Sequence, residues 1–440
     1  TGWISLLLPV ILISACRTLK IEMVGTDQTQ DSTQALFQTS RADEASDTAS
    51  PSDIPTAMNT PPSFHTHTPT LESEPTSSPA PIPHFLPGEP ITISYIDMFD
   101  ATTGWAVGRD EETSTDHILT TLDGGYTWRD VTPAEPLSQE MNEYTYRRAS
   151  VFFLDGQRAS VIYDPEKYGD PARTWSTSSA GYQWEISTID TNFQVVEDLT
   201  FTDGSHGWLM LGVDAGMGHA WIGLYRMSVD GQQWDLLIDP YSENSADLHY
   251  CCKTGMVFHG SDTGLVTFGR GLMGGAFINW TEDGGSTWEA HPLPRPDGAF
   301  EELGEADYGI LCGSHSPTLF SPQFNKVALE CWSDFENTDL ASFIFTTQDG
   351  GTSWQSEIYP GGQLLFLNPR VGWALGKEIY QTLDVGQTWT KMSTVDWEGQ
   401  FSFVSERLGW AVARNAEEYA LVQTSDGGKI WDIIEPVVVE

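Results

Sequence analysis

Residues 121–128 read Thr121-Leu122-Asp123-Gly124-Gly125-Tyr126-Thr127-Trp128, and the phrase decides the fold because six further copies follow it. The spacing of hydroxyl, Asp, Gly and Trp returns in TEDGGSTW (Asp283, Trp288), TQDGGTSW (Asp349, Trp354), TLDVGQTW (Asp384, Trp389) and TSDGGKIW (Asp426, Trp431). Two copies are worn: TSSAGYQW carries Ser179 in place of the Asp, and in SVDGQQW Asp230 stands one residue too close to Trp234. Successive tryptophans lie 35 to 66 residues apart, a period that means stacked supersecondary units rather than one irregular globule.

The residues before each copy are apolar and β-prone, as in HILT before Thr121 and SFIF before Thr346, and read as a strand entering a hairpin. Asp123 accepts backbone N–H groups just ahead of it, and the glycines take the positive φ that a tight reversal demands. The tryptophan then opens the return strand with a large apolar face. A second phrase lies upstream of each turn: GWAVG at Gly104, GWLMLG at Gly207, GLVTFG at Gly264, GWALG at Gly372 and GWAVA at Gly409. Phe201, Phe258, Phe366 and Phe403 sit six residues before four of these glycines, which reads as strand, turn and inner strand. Each unit thus holds four strands. Radial repetition of such units predicts an all-β chain, a seven-bladed β-propeller of four-stranded antiparallel blades. The blades fall at roughly 91–136, 148–190, 195–240, 254–293, 308–360, 361–395 and 396–440. Irregular inner phrases in blades two and five leave a six-blade count open.

The pairing of GWAVG with a downstream TTLDGGYTW resembles the repeat of the photosystem II stability and assembly factor family, whose members are seven-bladed propellers. The turn itself resembles the Asp-box, or BNR, repeat, also found in sialidases, sortilin-type receptors and propeller xyloglucanases. The likeness spans about 350 residues. It implies fold more than function, since one fold hosts many sites. In the assembly-factor family it further implies docking onto a membrane-protein client through an arginine patch. This chain departs there, because its arginines are scattered and its head is acidic.

The chain opens TGWISLLLPVILISAC, an apolar stretch ending Ile13-Ser14-Ala15-Cys16. That ending resembles a bacterial lipobox, so residues 1–16 are expected to be a lipoprotein-type signal peptide with Cys16 as the lipid attachment site. An ordinary cleaved signal or a bare anchor are the alternatives; 13 apolar residues are short for a span of about 20. No initiator Met or basic n-region precedes it, which reads as a truncated frame. Residues 17–90, rich in Ser, Thr, Pro, Asp and Gln, show no apolar periodicity and are expected to form a disordered linker before the 91–440 propeller. Its His65 and His67 read as solvated spacers rather than metal ligands. The expected location is extracytoplasmic, with membrane contact through the lipid anchor only.

Of the formal charge of −41, residues 91–440 hold 52 acidic and 18 basic groups, or −34. Such a surface repels phosphate backbones and excludes nucleic acid as an expected partner. After Cys16 the cysteines are Cys251, Cys252, Cys312 and Cys331, an even number outside the cytoplasm with three possible connectivities. Cys312 and Cys331 fall on neighbouring strands flanking an insertion and form the expected disulfide. No zinc-type spacing is present; neither metal nor cofactor is expected.

Long insertions gather on the loop face opposite the repeated turns, where binding residues commonly sit. They carry Tyr144, Tyr163, Tyr168, Asp214, His219 and Trp332, aromatic and carboxylate side chains suited to sugars, peptides or cations and equally to plain solvated loops. The Arg-Ile-Pro opening of sialidases is missing. A glycoside hydrolase needs two carboxylates across a cleft, for which Asp164, Asp170, Asp214, Glu302 and Asp334 are candidates. GxSxG, HExxH and phosphate-loop motifs are absent. The expectation is therefore a monomeric, non-catalytic binding or scaffold module for an extracytoplasmic protein or glycan, with a carbohydrate-active enzyme as the alternative.

Overall fold

The computed structural model describes residues 80–440, apart from 111–114, 138–146, 166–169, 217–218, 229–230, 232, 243–247, 249, 251, 270–275, 295–309, 334–337 and 417. Seven antiparallel sheets follow one another along the chain, each with its four principal strands in sequence order. Blade 1 is Thr92–Met98, Gly104–Asp110, Thr115–Thr121 and Thr127–Asp130; blade 2 is Ala149–Phe153, Ala159–Tyr163, Ala172–Thr177 and Glu185–Ile189. Blade 3 is Val195–Phe201, Gly207–Gly216, His219–Met227 and Trp234–Ile238; blade 4 is Lys253–His259, Thr263–Phe268, Phe277–Thr281 and Glu289–Pro292. Blade 5 is Ile310–Ser314, Asn325–Ser333, Thr338–Thr347 and Gln355–Tyr359, with Thr318–Leu319 as an added pair on Lys326 and Asn325. Blade 6 is Gln363–Phe366, Gly372–Leu375, Glu378–Thr382 and Thr390–Thr394; blade 7 is Glu398–Phe403, Gly409–Asn415, Glu418–Thr424 and Asp432–Ile434. The count is seven, and the architecture is a β-propeller.

The repeated turn folds as its chemistry requires. Asp123 Oδ1 accepts the backbone N–H groups of Tyr126 (3.1 Å) and Thr127 (2.9 Å), while Thr127 Oγ1 donates to Asp123 Oδ2 at 2.7 Å. Thr121 Oγ1 accepts the Gly125 N–H (3.0 Å) and donates to Asp123 Oδ1 (2.9 Å). Asp283, Asp349 and Asp384 repeat the bonds from the backbone and hydroxyl four residues on, and Asp426 keeps the backbone bond with Ile430 in the hydroxyl's place. In the worn second copy Ser179 Oγ still accepts the Gln183 N–H at 3.0 Å, so a hydroxyl stands in for the carboxylate. Asp230 lies outside the described residues. The two glycines of the first copy have φ of 84° and 98°. In blade 6 Val385 holds the first of these positions at φ 73°, a left-handed conformation that opposes a β-branched side chain.

Each inner glycine is demanded by its neighbour strand. Gly207, Gly264, Gly372 and Gly409 pair with Phe201, Phe258, Phe366 and Phe403, and the phenyl rings lie flat over the glycine backbone. A Cβ built on Gly409 would sit 2.4 Å from Phe403 Cδ1. Blade 1 uses Met98 over Gly104 and blade 2 sets Phe153 opposite Ala159, which is how the irregular second inner phrase still makes a blade.

Between blades the second-strand tryptophans act as staples. Trp208 Nε1 donates to Gly284 O (2.8 Å), Trp373 to Gly427 O (3.2 Å) and Trp410 to Gly124 O (2.8 Å), each reaching the repeated turn of the next blade. In blade 5 Lys326 takes this place, donating from Nζ to Val385 O at 2.7 Å. Trp105 reaches Asp155 O (2.8 Å) where the next turn is worn. Trp105, Trp128, Trp208, Trp373 and Trp410 are all fully buried, each contributing about 2–3 kcal/mol of apolar transfer.

Ring closure joins blade 7 to blade 1. Ile96 N donates to Gln400 Oε1 and Met98 N to Ser402 Oγ, both at 2.9 Å, so side chains of the last blade satisfy an otherwise open strand edge. Val437–Val439 then adds in parallel to Thr127–Asp130 as a fifth strand of blade 1. The other edge of this strand is also engaged: Gly88 N donates to Val438 O (2.9 Å) and Val438 N to Glu89 O (3.0 Å). Composition groups residues 80–90 with the linker, yet they pack on the head; Ala80–Pro81 pairs with Pro136–Leu137, and Phe85 stacks on His117 at 3.9 Å.

Candidate functional site

Gly124 N donates to Thr102 O, Gly284 N to Asp262 O and Gly427 N to Arg407 O. The repeated turns therefore share a face with the turns between first and second strands. Blade-to-blade connections and second-to-third strand loops occupy the opposite face, and the site-bearing loops are there.

Among the described residues, several carboxylates on that side are internal. At the junction of blades 1 and 2, Glu135, only 2 % exposed, accepts Arg147 Nη2 at 2.5 Å and Trp175 Nε1 at 2.7 Å. Arg147 also donates to Asp164 O. His117 Nδ1 and Asp130 Oδ2 lie 2.8 Å apart, and Asp130 accepts the Phe85 N–H on the same oxygen and Thr132 on the other. Burial acts to raise the Asp130 carboxyl, but bonds from His117, Thr132 and Phe85 prevail and hold it below its usual range. Burial wins at Asp116 and Asp164, whose carboxyls are raised even though Ala149 N and Val196 N donate to them.

Tyr163 belongs to this junction and not to an open surface, correcting the expectation that it faces a ligand. It is 3 % exposed, and its hydroxyl donates to Asp116 O at 3.1 Å. Every residue of Ala159–Tyr163 is buried, since this second strand is covered by blades on both sides. Burial, reinforced by the carboxylates of Asp116, Asp130 and Glu135, raises its phenol well above the ordinary value.

Asp214 and His219 lie on one hairpin. They sit near the tip of the blade 3 hairpin Gly207–Gly216/His219–Met227, whose strands of 10 and 9 residues are longer than the second and third strands of blades 1, 6 and 7, which have 4 to 7. A register shift between Gly212 and Asp214 sets Asp214 opposite Trp221. His219 is exposed, bridges to Tyr250, and has the Tyr250 and Trp221 rings each 6.5 Å away. Tyr250, 37 % exposed, packs edge-on against Phe277 at 4.7 Å. The result is an exposed aromatic ledge over blades 3 and 4, its base set in the core by Phe268. Trp221 and Tyr250 escape a motif search, because Tyr250 reaches the blade 3 hairpin only through its bridge to His219.

Trp332 lies apart, half-buried on blade 5 beside a disulfide between Cys312 and Cys331, which are register partners. Tyr144 and Tyr168, with Cys251, Glu302 and Asp334, fall outside the described residues, as does Cys16. Among the described residues no cluster of three or more His, Cys, Asp or Glu is arranged to hold a metal ion.

No protein-family model and no curated protein matches this chain. Among solved structures it is similar to YCF48 bound to a D1 peptide, at 17% identity over 79% of this chain and 97% of that one, with a TM-score of 0.48. A polysaccharide lyase of family PL25, an ulvan lyase bound to -[GlcA(1-4)Rha3S]-, covers 81% of this chain and 97% of its own at 10% identity and a TM-score of 0.47. The BP39L lectin of Burkholderia pseudomallei gives 10% identity, 81% and 100% coverage, and a TM-score of 0.45. These likenesses are of fold.

Proposed function

We propose that this chain is a non-catalytic binding propeller, tethered outside the cytoplasm through a lipid on Cys16, that holds a protein or glycan on its loop face. The observation that supports it most is the division of labour on that face. Of the acid–base candidates, Asp164 is committed to the blade 1–2 junction together with Asp116, Asp130 and Glu135. Among the described residues, exposed His219 and Tyr250 and half-buried Trp221 form a ledge on this face that offers aromatic rings and one titratable imidazole. The Cys312–Cys331 bond suits an oxidising compartment. The five well-formed turns are read as Asp-boxes, structural elements on the opposite face.

Retention on insoluble polysaccharides and reducing-end release, assayed together over plant and microbial glycans, test the reading. Retention without release, or capture of a surface protein by cross-linking, is expected, and either is to be lost in His219→Ala/Tyr250→Ala. Sustained release that disappears with neutralisation of Asp214 would make the chain a glycoside hydrolase. Partition of the Cys16→Ser variant into the aqueous phase tests the anchor.

A further inference from the structure

We propose that a groove between blades 6 and 7, lined by the connection that joins them and by the repeated turn of blade 7, binds a pyranose ring. Ser393, Asp396, Trp397, Lys429 and Trp431 line it, and its volume is about 430 Å³, within the range of small-molecule sites. The two indoles meet edge-to-face, centroids 5.7 Å apart at 88°, so they form a corner rather than a stack. Phe401 backs Trp431 at 5.8 Å and Trp397 at 5.7 Å, fixing the corner from the core side.

Comparison with the other blades explains why a groove exists here. At the equivalent positions of blades 2 and 3, Trp184 Nε1 donates to Val131 O and Trp234 Nε1 to Thr174 Oγ1, so each indole spans the seam to the preceding blade. In blades 1, 4 and 5 the indole instead donates to the second glycine of its own turn. Blade 7 does neither. The Gly428 carbonyl accepts Ser393 Oγ from blade 6 at 2.6 Å, and Trp431 Nε1 is buried without a partner among the described residues. Trp389 shares that orphaned N–H but does not line the groove. The weight therefore falls on the combination at blade 7: a seam crossed by Ser393 and not by the indole N–H, two indoles, and opposite charges at the rim.

Those charges suit a neutral sugar. The Lys429 ammonium donates and the Asp396 carboxylate accepts, and both side chains are exposed. Ring hydroxyls both donate and accept, while the C–H face of a pyranose packs on an indole. An aromatic corner with one donor and one acceptor thus matches one ring of a glycan.

Saturation-transfer NMR on the full protein with methyl gluco-, galacto-, manno- and xylopyranosides tests the site. At least one pyranoside is expected to receive saturation. Trp397→Ala should abolish the transfer and Lys429→Gln weaken binding about tenfold, as loss of a charge-assisted bond does. The measurements are repeated in the His219→Ala/Tyr250→Ala background, so that sugar held at the ledge of blades 3 and 4 is not counted as binding in this groove. Trp397 is half-exposed, and an unchanged melting temperature of its variant shows that folding is not what was lost. Absence of transfer from all four sugars, or transfer that survives Trp397→Ala and Lys429→Gln, overturns the proposal.

Discussion

At Gly409 a single methyl group would collide with the inner sheet of blade 7, since its Cβ would lie 2.4 to 2.8 Å from three atoms of the Phe403 ring. Gly409→Ala is expected to lower unfolding free energy by about 1–3 kcal/mol, read as a shift in denaturant midpoint. Val385 gives the opposite case. At φ 73° a valine stores strain that glycine does not, and Val385→Gly should stabilise by about 1 kcal/mol in the same assay. The difference between these residues shows what the chain discloses locally. The turn around Asp123 is legible because all its partners lie within four residues of the carboxylate. Tyr163 is not, because the loop it adjoins resembles a surface and only the packing of two blades reveals its burial.

Between elements, the decisive bonds are long-range. Trp410 and Gly124 are separated by 286 positions, so the repeat reveals a tryptophan but not the neighbour that its indole reaches. Lys326 is the clearest instance: nothing nearby in the chain marks it as the equivalent of a staple tryptophan. Burial lowers its ammonium pKa to about 8, a nearby Glu357 only partly opposing. In the unfolded chain it titrates near 10.5, so between these values the unfolded state binds more protons and stability contributed at this site rises with pH. Thermal unfolding from pH 8 to 10 should show that rise, and Lys326→Met should remove it. A slope unaltered by the substitution would place the titration elsewhere.

For the whole molecule, seven blades were legible from seven turns, while closure was not. Residues 436–440 read equally as an extra strand of blade seven or of blade one; the structure wedges Val437–Val439 between Thr127–Asp130 and residues 88–90. Deleting them should cost roughly 2 kcal/mol, about the burial of Val438, and an unchanged melting temperature would dispose of the closure. The same seam holds Asp97, whose carboxyl burial pushes up to about 7, opposed in part by Ser402. Here the folded state binds the extra proton, so this contribution falls as pH rises from about 4 to 7. Asp97→Asn should flatten that interval and stabilise the ring at neutral pH. On the candidate binding face, loop chemistry points to Asp214 and His219, and both lie on the blade 3 hairpin. Trp221 and Tyr250 emerge only when the blade 3 hairpin meets the segment leading into blade 4.

The most direct test of a binding propeller is a single paired assay: retention and reducing-end release by the protein and by His219→Ala/Tyr250→Ala over one glycan panel, with surface cross-linking alongside. A captured glycan or protein, lost in the variant, with no release by either, is the expected result. Release by the protein that persists when the ledge is removed and stops when Asp214 is neutralised would contradict it.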